Sequence, residues 1–143
     1  MLCCAWTIQA QHLSFHNISS NSQLPSGETR KLCQDSDGYL WIPTSNGLAR
    51  YDGYDFLFVK TDKSTRQQVL SGYVNLVSED SSGNLWIGTN NGLFLMDKET
   101  GNISKKLTPV MDNSHIEAVL PAKDGTVWVA TNRGLFAKLP NSE

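Results

Sequence analysis

The clearest pattern of apolar and polar positions is a five-residue run that occurs three times: L-W-I-P-T at 40–44, L-W-I-G-T at 85–89 and V-W-V-A-T at 127–131. Side chains alternate across a strand, so each run sets its Trp on one face and two aliphatic neighbours on the other. β-Branched and aromatic residues suit a pleated, packed surface. Both faces are then apolar, as expected of a strand sandwiched between two neighbouring sheets. Polar, glycine-bearing segments bracket each run: D-S-D-G, D-S-S-G and A-K-D-G before it, S-N-G, N-N-G and N-R-G after it. These read as tight turns. Short Asp or Ser side chains bond back to nearby amides, and Gly takes the positive-φ position that closes a hairpin.

The three copies are in phase. Gly precedes Trp by three (Gly38, Gly83, Gly125), Thr follows it by three (Thr44, Thr89, Thr131) and Gly by six (Gly47, Gly92, Gly134). The Trp residues lie 45 and 42 residues apart, the length of one blade of a β-propeller. Around each copy the pattern predicts an innermost strand upstream (about Thr29–Cys33, Val74–Ser78, Ile116–Leu120) and a third strand after the second turn (Leu48–Tyr51, Leu93–Met96, Leu135–Leu139). A fourth, outer strand follows at Phe56–Lys60 and Ile103–Leu107. The predicted fold is all-β: a partial propeller of about three four-stranded antiparallel blades over 11–143, with blades at about 27–70, 72–112 and 114–139.

The ends carry two further expectations. Leu13, Phe15 and Ile18 make 12–18 resemble an isolated outer strand, of the kind that completes the last blade when a propeller closes. Closed rings have about four to eight blades, so three should leave the outermost faces of blades one and three with apolar surface awaiting neighbours. The chain therefore reads as a fragment of a larger ring. Residues 1–10, uncharged and mostly apolar, read as the remnant of a secretory signal peptide, too short to span a bilayer. Processing after Ala10 would remove Cys3 and Cys4 and leave Cys33 without an intramolecular partner, as a small packed side chain.

Composition narrows function by exclusion. Twelve Lys and Arg against fourteen Asp and Glu give a charge of −2, with no basic run beyond Lys105-Lys106, so nucleic acid is not an expected partner. No phosphate-cradling glycine motif occurs. His12 and His16 lack a third metal ligand, Asp35, Asp37 and Gly38 lack the later ligands of a calcium loop, and Glu79-Asp80 lacks an acid/base partner. No catalytic residue, metal site or cofactor is expected. The repeated Trp residues are expected to pack blade against blade rather than stack on sugars. Loop side chains are the better ligand candidates, and the sequence does not choose among Arg50, Tyr51, Tyr54, Tyr73, His115 and Arg133.

At D-S-D-G-Y-L-W-I-P-T-S-N-G-L-A-R-Y-D-G-Y-D-F (35–56), with L-P-S (24–26) before it, the chain resembles the two-component regulator propeller repeat. In particular it resembles the first blades of the extracytoplasmic sensor region of hybrid two-component histidine kinases from glycan-degrading bacteria. The resemblance implies a non-enzymatic, periplasmic sensor segment, an oligosaccharide ligand, and kinase output supplied by other parts of the intact receptor. Two departures stand out: Pro43 where the second copy has Gly88, and Ala122 where the others have Asp. Pro43 should face an edge or a bulge, because it cannot donate to a ladder. A stand-alone module that builds its ring from several chains, for instance as a homodimer, is the competing reading. A propeller enzyme is disfavoured, because Ser36, Ser81 and Lys123 stand where a sialidase-type Asp box needs Asp, and no Trp follows Thr100-Gly101 as quinoprotein blades require.

Overall fold

The computed structural model describes residues 13–18, 24, 26, 28–59, 70, 73–105 and 113–140. The proposed signal remnant, with Cys3 and Cys4, lies outside the described residues, as do His12, Lys60, Lys106 and Leu107. The described residues form three antiparallel sheets. Blade one contains β1 (Cys33–Gln34), β2 (Leu40–Thr44), β3 (Gly47–Tyr51) and β4 (Phe56–Phe58). Blade two contains β5 (Val74–Glu79), β6 (Leu85–Thr89), β7 (Gly92–Met96) and β8 (Ile103–Lys105); blade three contains β9 (Ile116–Pro121), β10 (Val127–Thr131) and β11 (Gly134–Lys138). Within every blade the strands pair in chain order, as hairpins with short turns dictate. Lys31 bridges Leu76 in parallel, so the first strands of adjacent blades converge.

Two apolar layers hold the blades together. Between blades one and two lie Trp41 and Leu48 from the first, with Val74, Val77, Leu85, Ile87, Phe94 and Met96 from the second. Between blades two and three lie Leu76, Trp86 and Leu93 against Ile116, Val127 and Val129. Blade two thus sends Leu85 and Ile87 one way and Trp86 the other, the alternation its sequence specifies. The same geometry aims Trp128 away from blade two. It is 43% exposed, against 3% for Trp41 and 5% for Trp86, and Leu120 and Leu135 are exposed with it. On blade one the expected bare face is absent at its centre, since Ile42 and Ala49 are buried; apolar exposure falls instead on flanking positions such as Leu32 and Phe58.

Recurring features of the repeat each close a bond. Asp35 accepts the amides of Asp37 and Tyr39 on Oδ1 (3.1 and 2.9 Å) and the Trp41 indole N–H on Oδ2 (2.8 Å). Asp80 does the same for Ser82, Asn84 and Trp86 (2.9, 3.0 and 2.9 Å). One carboxylate therefore fixes both the turn and the ring that the turn introduces. Thr44, Thr89 and Thr131 each donate to the carbonyl of the Gly three residues on (2.9, 2.8 and 3.1 Å) and clamp the second turn.

Pro43 lies in β2, the interior of its sheet, and is fully buried. Its carbonyl accepts the Arg30 amide (2.8 Å), so the edge on which its N–H is missing faces the inner strand. There the inner strand holds one residue more than its partner, since Thr29 bridges Thr44 while Cys33 pairs with Trp41. Of the edge or bulge expected for Pro43, it is the bulge that is present. Blades two and three bulge at the same place, between Val74 and Leu76 and between Ile116 and Ala118.

One expectation fails. Leu13–Ile18 forms no strand, and Leu13 (80%) and Phe15 (93%) stand in solvent. A strand from this end could complete blade three only where the ends of the arc meet, and three blades do not bring them together. Several strand limits also move: the inner strand of blade one shortens to Cys33–Gln34, because its bulge interrupts the ladder upstream.

A β-carbon at Gly88 would meet Ile116 Cγ2 at 2.8 Å and Leu76 Cγ at 3.0 Å, so glycine is what lets blade three approach. Gly88→Ala is expected to destabilise the chain by about 1–3 kcal/mol, the cost of overpacking a tight contact. Urea unfolding monitored by Trp fluorescence measures this as a lower midpoint.

Candidate functional site

The two ends of the sheets differ in chemistry. At the end carrying the second turns, the amides of Ser45, Asn90 and Asn132 bond the carbonyls of Glu28, Tyr73 and His115 (3.2, 3.3 and 3.1 Å). These three bonds are equivalent and place three equivalent inner-strand residues at one mouth. The bulge follows two residues later and projects Arg30, Asn75 and Glu117; bulges are a recurrent device for re-aiming a side chain beside a functional site. The scaffold repeats while its passengers change: Glu28, Tyr73 and His115 in one row, Arg30, Asn75 and Glu117 in the next.

Neighbouring blades touch through these passengers. The Arg30 guanidinium lies 5.5 Å from the Tyr73 ring centre and pairs with Glu28 at 2.8 Å. Asn75 Nδ2 donates to Asn90 Oδ1 (3.0 Å) and the Ile116 carbonyl (3.1 Å) and lies 3.3 Å from His115 Nε2. Glu117 stands 3.6 Å from the same ring nitrogen. The result is an arc of amide, aromatic, imidazole and charged groups across three blades. Such a set suits hydrogen bonding and stacking on a polar ligand.

The sequence candidates separate accordingly. Tyr73 and His115 belong to the arc, and Arg133 lies in the adjoining turn of blade three. Arg50, Tyr51 and Tyr54 do not join it. Arg50 covers the Tyr39 ring at 4.2 Å, Tyr51 stacks on Phe56 and donates to the Gly53 carbonyl (2.7 Å), and Tyr54 stands in the turn after β3. Sequence reasoning missed Glu28, Arg30, Asn75 and Glu117. Their common phase, counted back from each Trp, is the signal that could have found them. Cys33 is half-buried and burial pushes its thiol up, away from the reactive thiolate form. Among the described residues no three His, Cys, Asp or Glu side chains gather as metal ligands.

The opposite end holds an ionic lock between blades one and two. Glu79 accepts the Ser36 amide (2.6 Å) and hydroxyl (2.8 Å), and Lys98 reaches Glu79 (2.7 Å), Asp37 (2.6 Å) and Asp35 (3.7 Å). Burial tends to raise the Glu79 carboxyl, but the bonds from Lys98 and Ser36 outweigh it and hold it below the usual range. Asp37 and then Glu79 lift the Lys98 ammonium well above its ordinary value.

Residues 23–46 and 68–91 match the model of the two component regulator propeller, taking in the first two copies of the repeat. No curated protein matches the chain. Among solved structures, the chain is similar to the extracellular domain of the proposed hybrid two component system BT4673 from B. thetaiotaomicron, with 23% identity over 87% of this chain and a TM-score of 0.70. It is also similar to the extracellular domain of the proposed hybrid two component system BT3049 from the same organism (25% identity, 87% coverage, TM-score 0.64). A more distant likeness, to virginiamycin B lyase from Staphylococcus aureus (14% identity, 80% coverage, TM-score 0.55), covers 42% of that enzyme and shows the fold alone. The chain spans only 17% and 16% of the two extracellular domains.

Because Glu79 is ionised more readily folded than unfolded, its stabilisation is complete above the ordinary glutamate value of 4.5 and is lost as pH falls through the lower folded value. Urea midpoints of the parent chain and Glu79→Gln should differ by a constant amount from pH 8 to about 5 and converge below that.

Proposed function

We propose, from the premise that this chain carries two-component regulator propeller repeats, that it is a ligand-recognition segment of a hybrid two-component receptor, acting without chemistry of its own. The propeller repeats would supply binding blades, and the likeness to extracellular domains of such systems supports the sensing role. An extracytoplasmic location accords with those relatives. The observation that carries the reading is the arc at one end of the blades, where a fixed scaffold presents a different side chain in each copy. Amide, aromatic and imidazole groups in that arrangement suit the hydroxyls and apolar faces of an oligosaccharide. Kinase output would be delivered by other parts of the receptor. Ligand binding would act there by favouring one of two arrangements of the sensor.

Screening the chain against neutral oligosaccharides should identify a ligand, and calorimetry should then show at least tenfold weaker binding by Tyr73→Ala. Unchanged affinity in that variant would remove the arc from the reading.

The exposed Trp128 face favours companions of the same kind. In this reading a further blade covers Trp128, Leu120 and Leu135 as blade three covers Trp86. Light scattering distinguishes how it is supplied. A discrete dimer points to a ring assembled from several chains, whereas monomer accompanied by aggregate points to blades supplied by one longer polypeptide. A clean monomer at high concentration would argue against any companion.

A further inference from the structure

Among the described residues the lock between blades one and two has no counterpart between blades two and three, although every position for it exists. Counting by the repeat, Ser36 and Asp37 become Ser81 and Ser82, while Glu79 and Lys98 become Pro121 and Pro140. The carboxylate and ammonium that fill the first junction are thus replaced by two prolines, which offer neither. A groove of about 210 Å³ opens where they would have been, lined by Ser81, Ser82, Pro121, Pro140, Lys138 and the edge of Trp86, among others.

The unaltered half of the lock is a carboxylate receptor. In blade one the Ser36 amide and hydroxyl grip the two oxygens of Glu79 at 2.6 and 2.8 Å. Asp80 shapes the second turn as Asp35 shapes the first, so Ser81 occupies the same place in the same loop. Among the described residues no group takes the Ser81 amide or hydroxyl. Lys138 stands on the groove wall, where a cation can offset Asp80 as Lys98 offsets Asp35.

We propose that this groove binds a carboxylate borne by an external ligand, seated on Ser81 as Glu79 is seated on Ser36. Pro121, Pro140 and Trp86 provide apolar walls for the carrier, and a sugar acid is the class that fits a groove of this size. The inference rests on the repeat geometry, independent of the sensor reading, so either can fail without the other.

The test is a titration of the 15N-labelled chain with sodium glucuronate, sodium acetate and glucose at constant ionic strength. Glucuronate should shift the Ser81 and Ser82 amides, saturating in the millimolar range, about the affinity of a single small site. Acetate producing the same shifts more weakly supports the carboxylate as the recognised group; glucose should produce none. Ser81→Ala, which keeps the amide and removes the hydroxyl, should weaken binding at least fivefold. The double variant Pro121→Glu/Pro140→Lys should rebuild the lock, abolish the shifts and raise the unfolding midpoint. Should that variant fail to fold, the Ser81→Ala comparison decides alone. Equal response to glucose, or unchanged binding by Ser81→Ala, overturns the proposal.

Discussion

The structure depends on one constraint: each sheet is apolar on both sides, and a single sheet of three or four strands has no interior in which to hide either side. Burying an aliphatic or aromatic side chain is worth about 1.5–3 kcal/mol, and here that gain is available only between sheets. Val77, Leu85 and Ile87 of blade two meet Trp41 of blade one, while Trp86 meets Ile116 and Val129 of blade three. Neither layer belongs to a single repeat. Stability is consequently a property of junctions, as in other repeat proteins whose units contact only their neighbours.

The junctions are specified by a local device. A carboxylate at the head of each turn bonds two or more amides and, with its second oxygen, the indole N–H six residues later. The turn and the packing anchor are therefore one unit, and the ring enters the layer in a single orientation with its polar atom satisfied. Blade three departs from this. With Ala122 the carboxylate is gone, and Asp124 caps Thr126 instead (2.9 Å). Among the described residues the same repeat also lacks the ionic lock, so its junction with blade two relies on apolar contact more heavily than the first junction does.

Much of the fold was legible because its signals are short-range and repeated. The Gly, Trp and Thr columns announced strand, turn and packing face, and even the bulge behind Pro43 followed from a missing donor. The N-terminal stretch was misread because Leu13, Phe15 and Ile18 carry a strand pattern without an edge within reach to pair with; periodicity records propensity, whereas a strand requires a partner. The polar arc was only partly legible. Tyr73 and His115 drew attention as residue types, but Asn75 and Arg30 gain meaning from bulges and from contact across blades, and neither is encoded in a local window. The lock was invisible for the same reason, since Ser36, Glu79 and Lys98 are far apart in the chain.

The position held by Pro43, Gly88 and Ala130 sits opposite the bulge and on the same face as the Trp. The three copies carry residues of different bulk there, and at Pro43 the missing N–H falls where the inner strand bulges. At Gly88 the absence of a side chain admits Ile116 almost to the backbone; at Pro43 a full ring fills the corresponding space. The position behaves as a shim. At Gly88 its thickness decides how near Ile116 comes to β6, so a single side chain limits the spacing of two neighbouring sheets.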